Sequence, residues 1–249
     1  MNPKGDAAAA NKELDGWKLN NLNTNTTLGN FFKYSYITIN RANSVIRNVG
    51  AMTSLDEDLR NRYVGEAYFM RGWSYFCLAR NFGMVPIHTE PVTTLDQSAV
   101  PAAKSLDEMW SCIISDLEKA AELLPLYSVP EAGRADKAAA CGFLAKAYLY
   151  IASAKDHGAP QYSQMSFDVE SYYAKAAEYA AKVVDNPEQT TYGFVDNLLD
   201  IYDVEKPDGA ENIFIMSMGR TGESEGQYSK ISKMYIPYEE GTAEEKLDE

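Results

Sequence analysis

The sequence predicts a mainly α-helical protein in which successive helices fold back on one another as hairpins. Three observations carry that reading. Apolar and small residues recur every three or four positions across several long windows. Those windows open on capping residues and close on glycine or proline. Most loops between them are short, which favours antiparallel neighbours. A hydrophobic share of 45% in 249 residues is ordinary and allows a real core, as one large domain or two small ones.

Residues 1–27 read as an irregular polar region. A first helix is expected from Leu28 to about Val49, with Gly50 as its stop. The second should begin at Leu55, because Ser54 and Glu57 form an S-x-x-E capping box. Leu55, Leu59, Tyr63, Ala67, Met70, Cys77 and Leu78 keep its period, Gly83 can close it in the left-handed conformation, and Pro86 prevents a restart. Its aromatics read as core, and Arg71 and Arg80 as anchors for neighbouring backbone or carboxylates. The connection from Met84 to Ser105 carries Pro86, Pro91 and Pro101 and should cross the surface in extended form.

Ser105 and Glu108 make a second capping box. Leu106, Met109, Ile113, Leu117, Ala120 and Leu124 then step by three or four until Pro125. After a loop through Pro130 and Gly133, a helix from about Asp136 to Ala154 is crowded with small residues. Ala138, Ala139, Ala140, Gly142 and Ala145 should let another helix approach closely, although Gly142 costs about 1 kcal/mol against alanine. A further helix runs from about Asp168 to Val184 and stops at Asn186-Pro187. Helices so joined suggest a tetratricopeptide-like arrangement, without the strict repeat of about 34 residues. Residues 28–188 form this helical scaffold.

Beyond Thr190 the rhythm is lost. Phe194, Leu198, Leu199 and Tyr202 suggest one short helix, followed by a turn at Pro207-Asp208-Gly209. Asn212 to Met218 then reads as a short buried strand. The closing EEGTAEEKLDE is acidic and expected to be disordered, so 189–249 is an irregular segment with a strand and an acidic tail.

Composition and motifs exclude several functions. A net charge of −13 argues against nucleic acid and anionic lipid, which need clustered Lys and Arg, and fits a neutral ligand better than a polyanionic one. Seventeen tyrosines against nine phenylalanines suit half-buried surfaces that still need a hydroxyl, at ligands or within helix pairs alike. No apolar run reaches roughly 18 residues, and the N-terminus lacks the regions of a secretory signal. Cys77, Cys112 and Cys141 are too scattered for a disulfide framework or a zinc site and read as buried free thiols. His88 and His157 read as exposed polar residues, so neither a metal nor a cofactor is expected. Gly222-Glu223-Ser224-Glu225-Gly226 matches G-x-S-x-G formally, but it lacks the strand–helix context of a nucleophile elbow and reads as a loop. No phosphate-cradling glycine motif occurs.

The polar stretch from Gly16 to Asn30 holds the candidate ligand-binding residues Trp17, Asn20, Asn21 and Asn23, with Asn25 and Asn30 beyond. A pyranose stacks its apolar face on an aromatic ring, while side-chain amides bridge neighbouring hydroxyls as donor and acceptor together. An asparagine-rich loop whose side chains cap turns is the plainer alternative.

Glu66, Ala67, Arg71, Tyr75, Phe76, Leu78, Arg80, Phe82, Gly83, Val85 and Pro86 keep an order that resembles the E-A-x-x-x-R-A-x-x-Y-F-x-L-x-R-x-(F/Y)-G-x-V-P run of SusD/RagB proteins, the nutrient-capturing surface lipoproteins of Bacteroidetes. ISDLEKAAELLP, RADKAAACGFLAKAYLY, YAKAAEYAAKVV and GAENIFIMSM resemble later parts of that pattern in the same sequence, over about residues 30–218. The resemblance implies a tetratricopeptide-like scaffold. It also implies a non-catalytic protein that captures oligosaccharide and delivers it to a SusC-like TonB-dependent transporter at the cell outer membrane, held there by a lipid anchor. Its ligand-facing residues would come from loops ahead of the Leu28–Val49 helix. The leader, the anchor cysteine and a long C-terminal half would be expected outside this chain. A peptide-binding RagB-like protein, a generic helical-repeat adaptor and an α-helical glycosidase or lyase remain the alternatives.

Overall fold

The computed structural model describes residues 10, 13, 14, 16, 17, 19–126, 133–185, 192–202 and 209–215. Contacts group the chain into two units, Met1–Tyr34 with Ser217–Glu249, and Ser35–Met216. The described residues are mainly helical: α1 (Thr26–Gly50), α2 (Glu57–Phe82), a short α3 (Leu95–Ser98), α4 (Leu106–Leu123), α5 (Lys137–Asp156) and α6 (Val169–Val184). Two 3-10 turns, Leu19–Thr24 and Leu198–Tyr202, complete them. Among the described residues no helix is long and apolar enough to cross a membrane.

In the first unit α1 starts two residues before the expected Leu28, and Asn25 is the reason. Its Oδ1 accepts from the N–H groups of Thr27 (3.1 Å) and Leu28 (3.2 Å), satisfying two of the donors that a helix start leaves open.

In the second unit α2 packs on α4, α4 on α5, and α5 on α6, which is the hairpin stack the periodicity predicts. Aspartates start most of these helices. Asp136 accepts from Ala139 N at 2.8 Å and Asp168 from Ser171 N at 2.8 Å, each also placing negative charge at the positive end of the helix dipole. At α2 the cap is Asp56, not Ser54, so the helix begins at Glu57 rather than Leu55. The chain from Met52 to Leu55 is still closing a turn of its own, Leu55 N to Met52 O, which leaves Asp56 at the boundary. At α4 the hydroxyl of Ser105 accepts from Glu108 N as expected, while the Glu108 carboxylate reaches Lys104 N instead of the cap residue.

The small-residue helix α5 packs on α6 as expected, but glycine-mediated approach falls on α2 rather than at Gly142. A Cβ on Gly65 would lie 2.9 Å from Leu124 Cγ, and one on Gly72 would lie 3.0 Å from Leu117 Cγ. Gly142 has nothing within 4 Å. Ala138, Ala139 and Ala140 are buried as predicted, but the leucines of α4 press onto the glycines of α2. Trp110, Tyr75, Phe69 and Phe76 are the largest side chains of the core, and Phe76 meets Trp110 edge-on at 5.6 Å.

The connection after α2 is stitched to helices as far as Val92 and runs exposed from Thr93 to Ala102, as expected. Tyr36 OH donates to Pro86 O at 2.6 Å, and Tyr75 OH accepts from His88 N at 2.6 Å. Asn40 donates to Val92 O and accepts from Val92 N, while Asn43 Nδ2 donates to the carbonyls of His88 and Glu90. Val85 and Pro91 are buried, and Pro86 bridges Ala102.

Beyond α6, Phe194 is exposed, and the expected short helix is the 3-10 turn Leu198–Tyr202. The described part of the expected strand, residues 212–215, is turn and bend, with Phe214 edge-on to Phe69 at 5.0 Å. Met216–Met218, Asn186-Pro187, the Pro207-Asp208 turn residues, the Gly222–Gly226 match and the acidic tail lie outside the described residues.

Candidate functional site

Trp17 stands out in the first unit. It is 81% exposed, and its φ of 51° is the one left-handed value of a non-glycine among the described residues. Its N–H donates to Leu14 O at 3.1 Å, closing the turn that sets this conformation. Holding a bulky residue there costs on the order of 1–3 kcal/mol, and such outliers cluster at functional sites. Asn23 is exposed in the following 3-10 turn, on the same short stretch. Asn20 and Asn21 fall in that turn, but their side chains lie outside the described part. Asn25 is buried and fully engaged: besides capping α1, its Nδ2 donates to Ala10 O at 2.8 Å and Glu13 Oε2 at 3.2 Å. It therefore follows the turn-capping alternative.

The two arginines of the α2 motif differ. Arg71 is a buried anchor, as expected. It grips both oxygens of Asp116 at 2.6 and 2.8 Å, Asn43 Oδ1 at 2.7 Å and Thr89 O at 3.2 Å. Burial pushes the Asp116 carboxyl above its usual value while Arg71 pulls it back, and the two-pronged contact keeps the pair charged. Among the described residues Arg80 anchors neither backbone nor carboxylate, contrary to the expectation. Its guanidinium lies over the rings of Phe76 (5.4 Å) and Tyr150 (5.1 Å). There it borders a cavity of about 1140 Å³ at the C-terminal end of α2, shared with the start of α4, the face of α5 and the loop around Tyr162.

His88 is half-buried rather than exposed, with its ring edge-on to Tyr36 at 5.8 Å, whereas His157 is exposed. Of the cysteines only Cys141 is fully buried. Cys77 and Cys112 are partly covered, and burial pushes the Cys112 thiol up to about 12. Among the described residues no three His, Cys, Asp or Glu side chains gather as a metal site would need.

A family model described as "starch-binding associating with outer membrane", SusD-like, matches residues 4–149, more than half of the chain. The chain belongs to the SusD-like family. SusD-like protein P2 of Formosa agariphila is 33% identical over 119 residues, which is 48% of this chain and 23% of that protein. A laminarin-binding SusD-like protein has a similar structure, with a TM-score of 0.59 at 25% identity over 74% of this chain and 36% of that one. A crystal structure with xylogluco-oligosaccharide gives a TM-score of 0.63 at 26% identity over 78% of this chain and 36% of that one. This SusD-like chain thus spans about a quarter of the first relative's length and about a third of each structure's.

Sequence reasoning missed the clamp on the connection after α2, although a signal was present. Tyr36, Asn40 and Asn43 fall at i, i+4 and i+7, one polar stripe on a helix face that has to be covered by something.

Proposed function

We propose that this SusD-like chain is the glycan-binding part of a SusC/SusD-type uptake system at the outer membrane. It captures oligosaccharides and passes them to a TonB-dependent transporter, is held at the cell surface by a lipid anchor, and catalyses nothing. Family membership supports this reading, together with similar structures whose own descriptions name laminarin binding and xylogluco-oligosaccharide. The observation that carries the site is Trp17, an indole 81% exposed on a backbone held in the left-handed region. Such a ring offers a flat apolar face at low entropy cost to the axial C–H groups of a pyranose. Asn20, Asn21 and Asn23 supply amides for its hydroxyls. The helical region 28–188 is the scaffold of the protein.

Affinity electrophoresis in gels containing laminarin or xyloglucan tests the reading. The chain should be retarded, and Trp17→Ala should lose most of that retardation, because one stacked ring is worth on the order of 1–3 kcal/mol here by analogy with stacking on bases. Equal retardation of wild type and variant would remove Trp17 from the site. No retardation by any neutral glycan would remove the function.

A further inference from the structure

Arg80, Lys104 and Lys146 border the one cavity at the end of α2, against a single carboxylate, Asp107. In a chain of net charge −13 that local excess of positive charge runs against the whole. Among the described residues none of the three cations forms an ion pair with a carboxylate. Asp107 is occupied elsewhere, since both its oxygens accept from Ser166 N at 3.0 and 3.2 Å.

Arg80 is also held in place. Its guanidinium rests on Phe76 and Tyr150, and Tyr150 is in turn stacked on buried Trp110 at 5.4 Å. A guanidinium resting on two aromatic faces keeps its N–H fork free of rotamer search, and among the described residues no carboxylate takes it. Gln161, Gln164 and Asn81 add neutral amides around the same space. Its volume of about 1140 Å³ slightly exceeds the roughly 300–1,000 Å³ of small-ligand sites.

We infer that this cavity is a second saccharide site, specific for a sugar unit bearing a carboxylate, a uronate, whose anion is held by Arg80 with Lys104 and Lys146 and whose hydroxyls are held by the amides. The inference rests on the glycan-binding reading above and changes its ligand class. The overall acidity of the sequence favours neutral glycans, whereas this lining selects an acidic one. Charge-assisted hydrogen bonds from a guanidinium to a carboxylate are stronger than neutral ones, and at exposed cations they weaken with salt.

Isothermal titration of the whole chain with oligogalacturonate, oligomannuronate and glucuronate, beside their uncharged counterparts, tests it. A uronate should bind, weaken as salt rises, and lose about tenfold or more in affinity in Arg80→Gln, with Arg80→Lys falling between. Arg80 is exposed, so these variants keep the fold, and a thermal melt checks that. Neutral-glycan retardation through Trp17 should be unchanged in Arg80→Gln, which separates the two sites. The inference is overturned if no uronate binds while neutral glycans do, or if Arg80→Gln binds uronate like wild type. It is likewise overturned if inorganic sulfate or an oligoglutamate peptide binds as tightly as the sugars. Loss of neutral binding in Trp17→Ala with uronate binding intact leaves it standing.

Discussion

At Arg71 helices α1, α2 and α4 and the chain after α2 are joined through one side chain. Its guanidinium bonds Asp116 from α4, Asn43 from α1 and the Thr89 carbonyl of the connection, and both charged partners are buried. A charge in that position is tolerated because four of its five N–H groups find an oxygen. Removing one partner leaves the other unpaired in low dielectric, so Asp116→Ala should lower unfolding stability by roughly 3–5 kcal/mol, read from the urea midpoint. A loss under about 1 kcal/mol, the range of exposed pairs, would show that water reaches the site and that the pair is not structural. The sequence made part of this legible. Arg71 could be read as an anchor because an arginine among the core aromatics of a helix needs an acceptor. Its partner could not be named, because Asp116 is one of 36 acidic residues and lies 45 positions away.

Among the elements, α2 carries the tightest packing, and its glycines explain how. Gly65 and Gly72 let Leu124 and Leu117 of α4 come within about the distance of a methyl group, while Gly142 of α5 faces open space. The same substitution should therefore have opposite signs at two helical sites. Gly65→Ala forces a contact of 2.9 Å with Leu124 and should destabilise by about 1–3 kcal/mol. Gly142→Ala meets nothing and should stabilise by roughly 0.5–1 kcal/mol, by reducing the freedom of the unfolded chain. Thermal melts of the two variants would decide the matter, and a stabilised Gly65→Ala would show that α2 and α4 are free to separate. The sequence pointed to Gly142 and not to Gly65 or Gly72, because composition marks where approach is possible, not which neighbour arrives.

For the molecule as a whole, one unit presents an exposed polar stretch with its indole, and the other holds a cation-lined cavity. Under the proposed function both features are places that hold a ligand, without turnover. Incubation of the chain with laminarin or xyloglucan should accordingly release no reducing sugar above a protein-free control. Steady release that scales with protein concentration would replace the binding protein by an enzyme.

What the sequence determined by itself was the run of helices and their ends, because these depend on neighbours within four or five residues. Aspartate and serine satisfy helix-start donors locally, Gly83 turns the chain at φ 73°, and proline blocks continuation whatever the rest of the molecule does. It also carried the family resemblance, since the spacing from Glu66 to Pro86 is a linear pattern. Tertiary structure alone decided which residues meet across distant segments. Arg80, Lys104 and Lys146 come from α2, the connection before α4, and α5, and only the packing of those hairpins brings three cations around one cavity. Net charge sums over the chain and carries no such positional information, so an acidic sequence can still fold around a basic pocket.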